Sequence, residues 1–127
     1  MNHVDFHKFC FTVKQDLLPE ELSEMTEKHF GHPISYFKAV NKFRNAYRYF
    51  FTLNSMINIY CDGVGHNYDT THFEINGLGC DTLNIDFKEL IRDCFQHNHK
   101  ITNIHLYLDD TDNILPMERL FTEFKKD

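Results

Sequence analysis

The stretch Ala46-Tyr-Arg-Tyr-Phe-Phe-Thr-Leu53-Asn-Ser-Met56-Ile-Asn-Ile-Tyr60 decides the fold. Both of its runs are rich in aromatic and β-branched residues, which suit a pleated, half-buried surface. Only Asn54-Ser55 separates the runs Ala46–Leu53 and Met56–Tyr60, room for a tight hairpin turn but none for a helical crossover. The two strands must therefore be antiparallel. Residues 35–40 before them and 71–75 after them have the same character, and Asp62-Gly63-Val64-Gly65-His66-Asn67 between is a loop by composition.

Outward from this block, Val4-Asp-Phe-His-Lys-Phe-Cys-Phe-Thr-Val13 predicts a further strand. Leu17-Leu18-Pro19-Glu20-Glu21 opens a helix, with proline in the first turn and acids at the positive end of the dipole. Leu18, Leu22, Met25 and His29 recur at helical spacing, and Gly31 is the stop. Asp86-x-x-Glu89 is a capping box for a helix bearing Phe87, Leu90, Ile91, Cys94 and Phe95. Residues 101–108 alternate as a strand, and a last helix follows Pro116, burying Met117, Leu120, Phe121 and Phe124. The expected order is β-α-β-β-β-β-α-β-α. This is an α+β fold with a mainly antiparallel sheet and helices packed on one face, forming a single domain over residues 1–127.

The chain has 127 residues, long enough to bury a core without staples. No apolar run approaches the roughly 18 residues of a membrane span, and the first residues lack the pattern of a signal peptide. Cys10, Cys61, Cys80 and Cys94 lie far apart with no C-x-x-C pair, so free thiols in a cytoplasmic protein are expected. The net charge of −6 disfavours a generic nucleic-acid binder. The charge is uneven, however. Lys28, Lys38, Lys42, Arg44 and Arg48 precede Cys61 with no carboxylate after Lys28, whereas 13 carboxylates and only six Lys or Arg follow it.

Three segments can carry chemistry. Thr71-His-Phe-Glu-Ile-Asn-Gly-Leu-Gly-Cys80 runs a strand bearing Glu74 into a Gly-x-Gly turn, where a backbone or a phosphate can approach closely. Ile101-Thr-Asn-Ile-His-Leu-Tyr-Leu-Asp-Asp110 places His105, Tyr107 and Asp109 on one side of a strand. With Glu74 on a neighbouring strand, His105 and Asp109 suit a divalent cation, magnesium or manganese. The same acids, with Asp112, also read as a solvated strand end. Residues 36–60 interleave aromatic side chains with Lys38, Lys42, Arg44 and Arg48, which single-stranded DNA requires and a half-buried sheet with cationic outer residues equally supplies. His29-x-x-His32 and His97-x-His99 are incomplete as zinc half-sites.

Phe73-Glu-Ile-Asn-Gly-Leu-Gly-Cys80, followed by Ile101-Thr-Asn-Ile-His-Leu-Tyr-Leu-Asp-Asp110, resembles the replication initiation factor family of rolling-circle plasmid and phage initiators. The opening strand and the tyrosine-rich residues 36–60 look similar too, so the resemblance extends over nearly the whole chain but only over the N-terminal half of such an initiator. It implies metal-dependent nicking of single-stranded DNA through a tyrosine nucleophile. Glu74, Asp109 and Asp110 match acidic residues of the family pattern. Asn103 stands where the family has Arg, and His105 where it has Asp. The nucleophile's Tyr-x-Gly-Ser-like context surrounds none of Tyr36, Tyr47, Tyr49, Tyr60, Tyr68 or Tyr107, so no catalytic residue is assigned and the chain alone is not expected to nick.

Two functions follow as expectations. The first is a non-catalytic mobile-element protein that inhibits or modulates a DNA-processing machine, as an anti-CRISPR-type inhibitor or replication regulator. Asp109, Asp110 and Asp112 would then meet the basic surface of a host or element-encoded partner. The second is the DNA- and metal-binding half of a rolling-circle initiator, with Lys38, Lys42, Arg44 and Arg48 on single-stranded DNA.

Overall fold

The computed structural model describes residues 6–96 and 101–108, with side chains over residues 8–93. Strands β1 (Phe6–Val13), β2 (Lys38–Val40), β3 (Tyr47–Leu53), β4 (Ile57–Gly63), β5 (Thr71–Asn76) and β6 (Ile101–Leu108) form one sheet in the order β2-β3-β4-β5-β1-β6. Every neighbouring pair is antiparallel. Helix α1 (Pro19–Phe30) follows β1, and α2 (Gly77–Thr82) and α3 (Phe87–Gln96) lie between β5 and β6. This is the expected α+β architecture; the helix anticipated after Pro116 lies outside the described residues.

Two turns on the β3 strand use the left-handed region without glycine. Asn54 and Ser55 have φ of 51° and 60° and close β3 onto β4, with Met56 N–H donating to Leu53 O at 2.9 Å. Asn45 and Ala46 have φ of 55° and 63°, and the backbones of Arg44 and Tyr47 exchange two hydrogen bonds across them. Two successive positive φ values fit the twist of a two-residue hairpin.

The helix ends follow their predicted chemistry. Glu21 accepts from Leu18 N–H at 2.9 Å, Pro19 opens α1, and Gly31 closes it at φ 79°. Asp86 accepts from Glu89 N–H at 3.1 Å at the start of α3. The Gly-x-Gly segment differs from the expected turn. It is the short helix α2, because Asn76 Oδ1 caps it by accepting from Gly79 N–H at 2.8 Å. Neither glycine needs a positive φ. Gly79 is required for close approach: a Cβ there would lie 2.9 Å from Met56 O and 3.1 Å from the Ile75 side chain.

Strand alternation sorts the sheet into two faces. Phe9, Phe11, Val13, Ile57, Ile59, Cys61, Phe73 and Ile75 all bury on one face against Leu22, Met25 and Phe30 of α1 and Leu90 and Ile91 of α3. Phe11 and Phe73, directly opposed in the β1 and β5 register, stack at 4.6 Å. Each such ring contributes about 1.5–3 kcal/mol on burial. Thr71, fully buried, accepts from Leu17 N–H at 3.0 Å and donates to Gln15 O at 2.8 Å, tying the approach to α1 onto β5. Among the described residues, the helices pack on this face alone, and the opposite face holds the polar and aromatic side chains.

Candidate functional site

The pairing register lays the second face out in rows. One runs from Lys38 on β2 through Thr52, Asn58 and Glu74 to Cys10 on β1 and the position of His105 on β6. The adjacent row runs through Val40, Phe50, Tyr60, His72 and Thr12 to the position of Asn103. Directly opposed residues share a face, so residues distant in sequence become neighbours.

At the centre, a sulfur, a nitrogen and an oxygen converge. The donor atoms of Cys10, His72 and Glu74 lie within 4.8 Å of one another. His72 Nδ1 is 2.8 Å from Thr12 Oγ1, and its Nε2 is 3.4 Å from Glu74 Oε2. The Tyr60 hydroxyl donates to Glu74 Oε1 at 3.4 Å, and Lys8 Nζ lies 3.7 Å from Oε2. The hydrogen bond from His72 holds the Glu74 carboxyl below its usual range, helped by Lys8 and Tyr60 and opposed by burial. Burial pushes the Cys10 thiol up to about 11, although Lys8 pulls it back. Asn58, opposite Glu74 on β4, has a buried Oδ1 with no hydrogen-bond partner among the described residues.

An aromatic cluster of Tyr47, Phe50 and Tyr60, with Val40 against it, continues this face toward β2. Tyr47 O–H lies 2.7 Å from Thr70 Oγ1, which donates to Asn67 O at 2.6 Å. The Arg44 guanidinium sits 4.8 Å over the Phe50 ring, a cation–π contact. Two nearby residues in sequence are exposed: Phe43 is 62% accessible and Tyr36 68%, and Tyr36 stacks on His32 at 5.5 Å. Lys38, Lys42 and Arg44, interleaved with them in sequence, are exposed too. Arg48 is exposed as well, but its Nη1 is 3.1 Å from Asp62 Oδ1, so its charge is matched locally.

The expected basic set is thus placed on or beside one edge of the sheet, with Arg48 set apart by its ion pair. Of the expected cation ligands, Glu74 occupies the centre of the face and His105 takes the register position across from Cys10. Asp109, Asp110 and Asp112 lie outside the described residues. Cys10 and His72 were not singled out from sequence. For His72 a signal existed, because His72-x-Glu74 on an alternating strand shares one face. For Cys10 none did, since its place depends on the pairing of β1 with β5.

The magnesium or manganese ion expected on Glu74, His105 and Asp109 involves two residues whose side chains lie outside those described. Among the described residues, Glu74 instead stands with Cys10 and His72 in a group that could hold a metal ion. One thiol, one imidazole and a single carboxylate are not the near-octahedral oxygen set that magnesium demands.

No protein-family model matches the sequence, and no curated protein matches it. In three dimensions the chain is similar to a solved structure titled as a rolling circle replication initiator protein from Geobacillus stearothermophilus. The TM-score is 0.53 at 20% identity, over 98% of this chain and 50% of that one. The chain therefore spans half the length of that initiator and shares its fold over this span.

Proposed function

We propose that the chain is an initiator-like module that binds single-stranded DNA along the edge formed by β2, β3 and the loop between them. The observation that supports this reading is the combination at residues 36–44. Exposed Tyr36 and Phe43 stand among Lys38, Lys42 and Arg44, cations that no carboxylate interrupts in sequence. Rings that stack on bases and cations that track phosphates are what a single strand needs, and the overall charge of −6 does not prevent it where the local surface is basic. The fold shared with a rolling circle replication initiator protein supports the same reading. A cytoplasmic setting suits the free thiols of Cys10, Cys61 and Cys80. Among the described residues, no helix is long and apolar enough to cross a membrane.

The inhibitor or regulator reading, with a basic protein partner, rests on carboxylates of which Asp109, Asp110 and Asp112 lie outside the described residues. Nothing in the described surface favours it. Fluorescence anisotropy with labelled single-stranded and duplex oligonucleotides tests the DNA reading. The single strand binds more tightly, and Phe43→Ala costs about 1–3 kcal/mol, as removal of one stacking platform does. Equal affinity for both forms, or a Phe43→Ala variant that binds as wild type, refutes it.

A further inference from the structure

The cluster on the second face has donors that a hard oxygen-seeking cation does not favour. We propose that Cys10, His72 and Glu74 together hold one divalent ion of the zinc class. Sulfur, imidazole nitrogen and carboxylate oxygen are the three donor types that zinc takes in proteins. This inference concerns the ion alone and does not rest on the DNA reading.

Three features of the face support it. The donor atoms already lie within 4.8 Å of one another. Tetrahedral zinc, with bonds of about 2.0–2.3 Å, sets its ligand atoms about 3.3–3.8 Å apart. The separation of His72 Nε2 from Glu74 Oε2, 3.4 Å, meets this as it stands, and side-chain rotation closes the rest. Thr12 supplies the outer partner of the imidazole at 2.8 Å. Its hydroxyl donates to Nδ1 when Nε2–H faces Glu74, and accepts from Nδ1–H when Nε2 turns its lone pair to a metal. The third feature is the buried Oδ1 of Asn58, directly across the ladder from Glu74, which has no partner among the described residues. A water completing the tetrahedron would donate to this acceptor, which no described residue satisfies. Lys8, 43% exposed and 3.7 Å from Glu74, is free to yield the carboxylate and move into solvent.

Cobalt(II), titrated into the full chain, tests the site, because tetrahedral cobalt–thiolate coordination has a charge-transfer band in the near ultraviolet. The expected result is one cobalt per chain with that band, displacement by equimolar zinc, and indifference to millimolar magnesium. Cys10→Ser abolishes the band and weakens zinc binding by at least about 100-fold. Cys61→Ser, on the helix-covered face, leaves both unchanged. Should Cys10→Ser fail to fold by circular dichroism, His72→Gln and Glu74→Gln decide the matter, since each must weaken zinc binding. A wild-type chain without the charge-transfer band overturns the proposal. So does a band that survives in folded Cys10→Ser, zinc affinity that the His72 and Glu74 variants leave unchanged, or cobalt that magnesium displaces.

Discussion

Ala46 holds the turn that presents Arg44 and Phe43, and it does so in a conformation an alanine resists. Its φ of 63° brings its Cβ close to the following carbonyl oxygen, at about 1–2 kcal/mol for an L-residue. Glycine removes that cost but adds unfolded-state entropy of about 0.4–1 kcal/mol. The difference predicts that Ala46→Gly stabilises the protein by about 0.5–1 kcal/mol. The contacts of the turn survive, because Ala46 engages Val64 N–H through its backbone carbonyl. Ala39 is the internal control: it is exposed in β2, where glycine only loosens the chain, and Ala39→Gly destabilises by about 0.5–1 kcal/mol. One chemical change therefore has opposite signs at two sites seven positions apart. Urea denaturation reads both. With a slope of about 1–3 kcal/mol/M, the midpoint of Ala46→Gly rises by a few tenths of a molar at unchanged slope, and that of Ala39→Gly falls. If Ala46→Gly lowers the midpoint, the left-handed assignment and the turn built on it are refuted.

Other outcomes follow from the same geometry. The Glu74 carboxyl is held low in the folded chain, so its ionised form contributes stability above its unfolded pKa, and that contribution disappears as pH falls through the folded value. Glu74→Gln costs about 1–3 kcal/mol at neutral pH and progressively less in acid, measured by denaturation across a pH series. Tyr47→Phe breaks the hydroxyl relay to Thr70 and Asn67 and costs about 1 kcal/mol with the fold retained by circular dichroism. Gly63→Ala drives a Cβ into the Asn67 backbone carbonyl and destabilises by at least about 2 kcal/mol, visible as a lower Tm.

The strands were legible in sequence because their apolar residues alternate, and the two helices between them because caps and periodicity agreed. Leu18, Pro19 and Gly31 mark α1 as clearly in sequence as in space, and Asp86 with Glu89 mark α3. The short helix at Gly77 was hidden, since glycine advertises a turn and the cap that makes it helical is the side chain of Asn76. The donor cluster was only half visible. Glu74 and its face follow from alternation within β5, but Cys10 reaches it because β1 inserts between β5 and β6, and strand order is a long-range property. Arg48 shows the same gap. Its charge is plain in sequence, whereas its pairing with Asp62 depends on the register of β3 against β4.

The salt dependence of single-strand binding tests the central claim most directly. Three exposed cations, Lys38, Lys42 and Arg44, predict a slope of log affinity against log salt of about −2, at roughly −0.7 per phosphate contact. Lys42→Ala with Arg44→Ala flattens it to about −0.7, while Arg48→Ala changes it little because Asp62 already matches that charge. Binding too weak to measure at low salt, or a slope that the Lys42 and Arg44 substitutions leave untouched, contradicts the account.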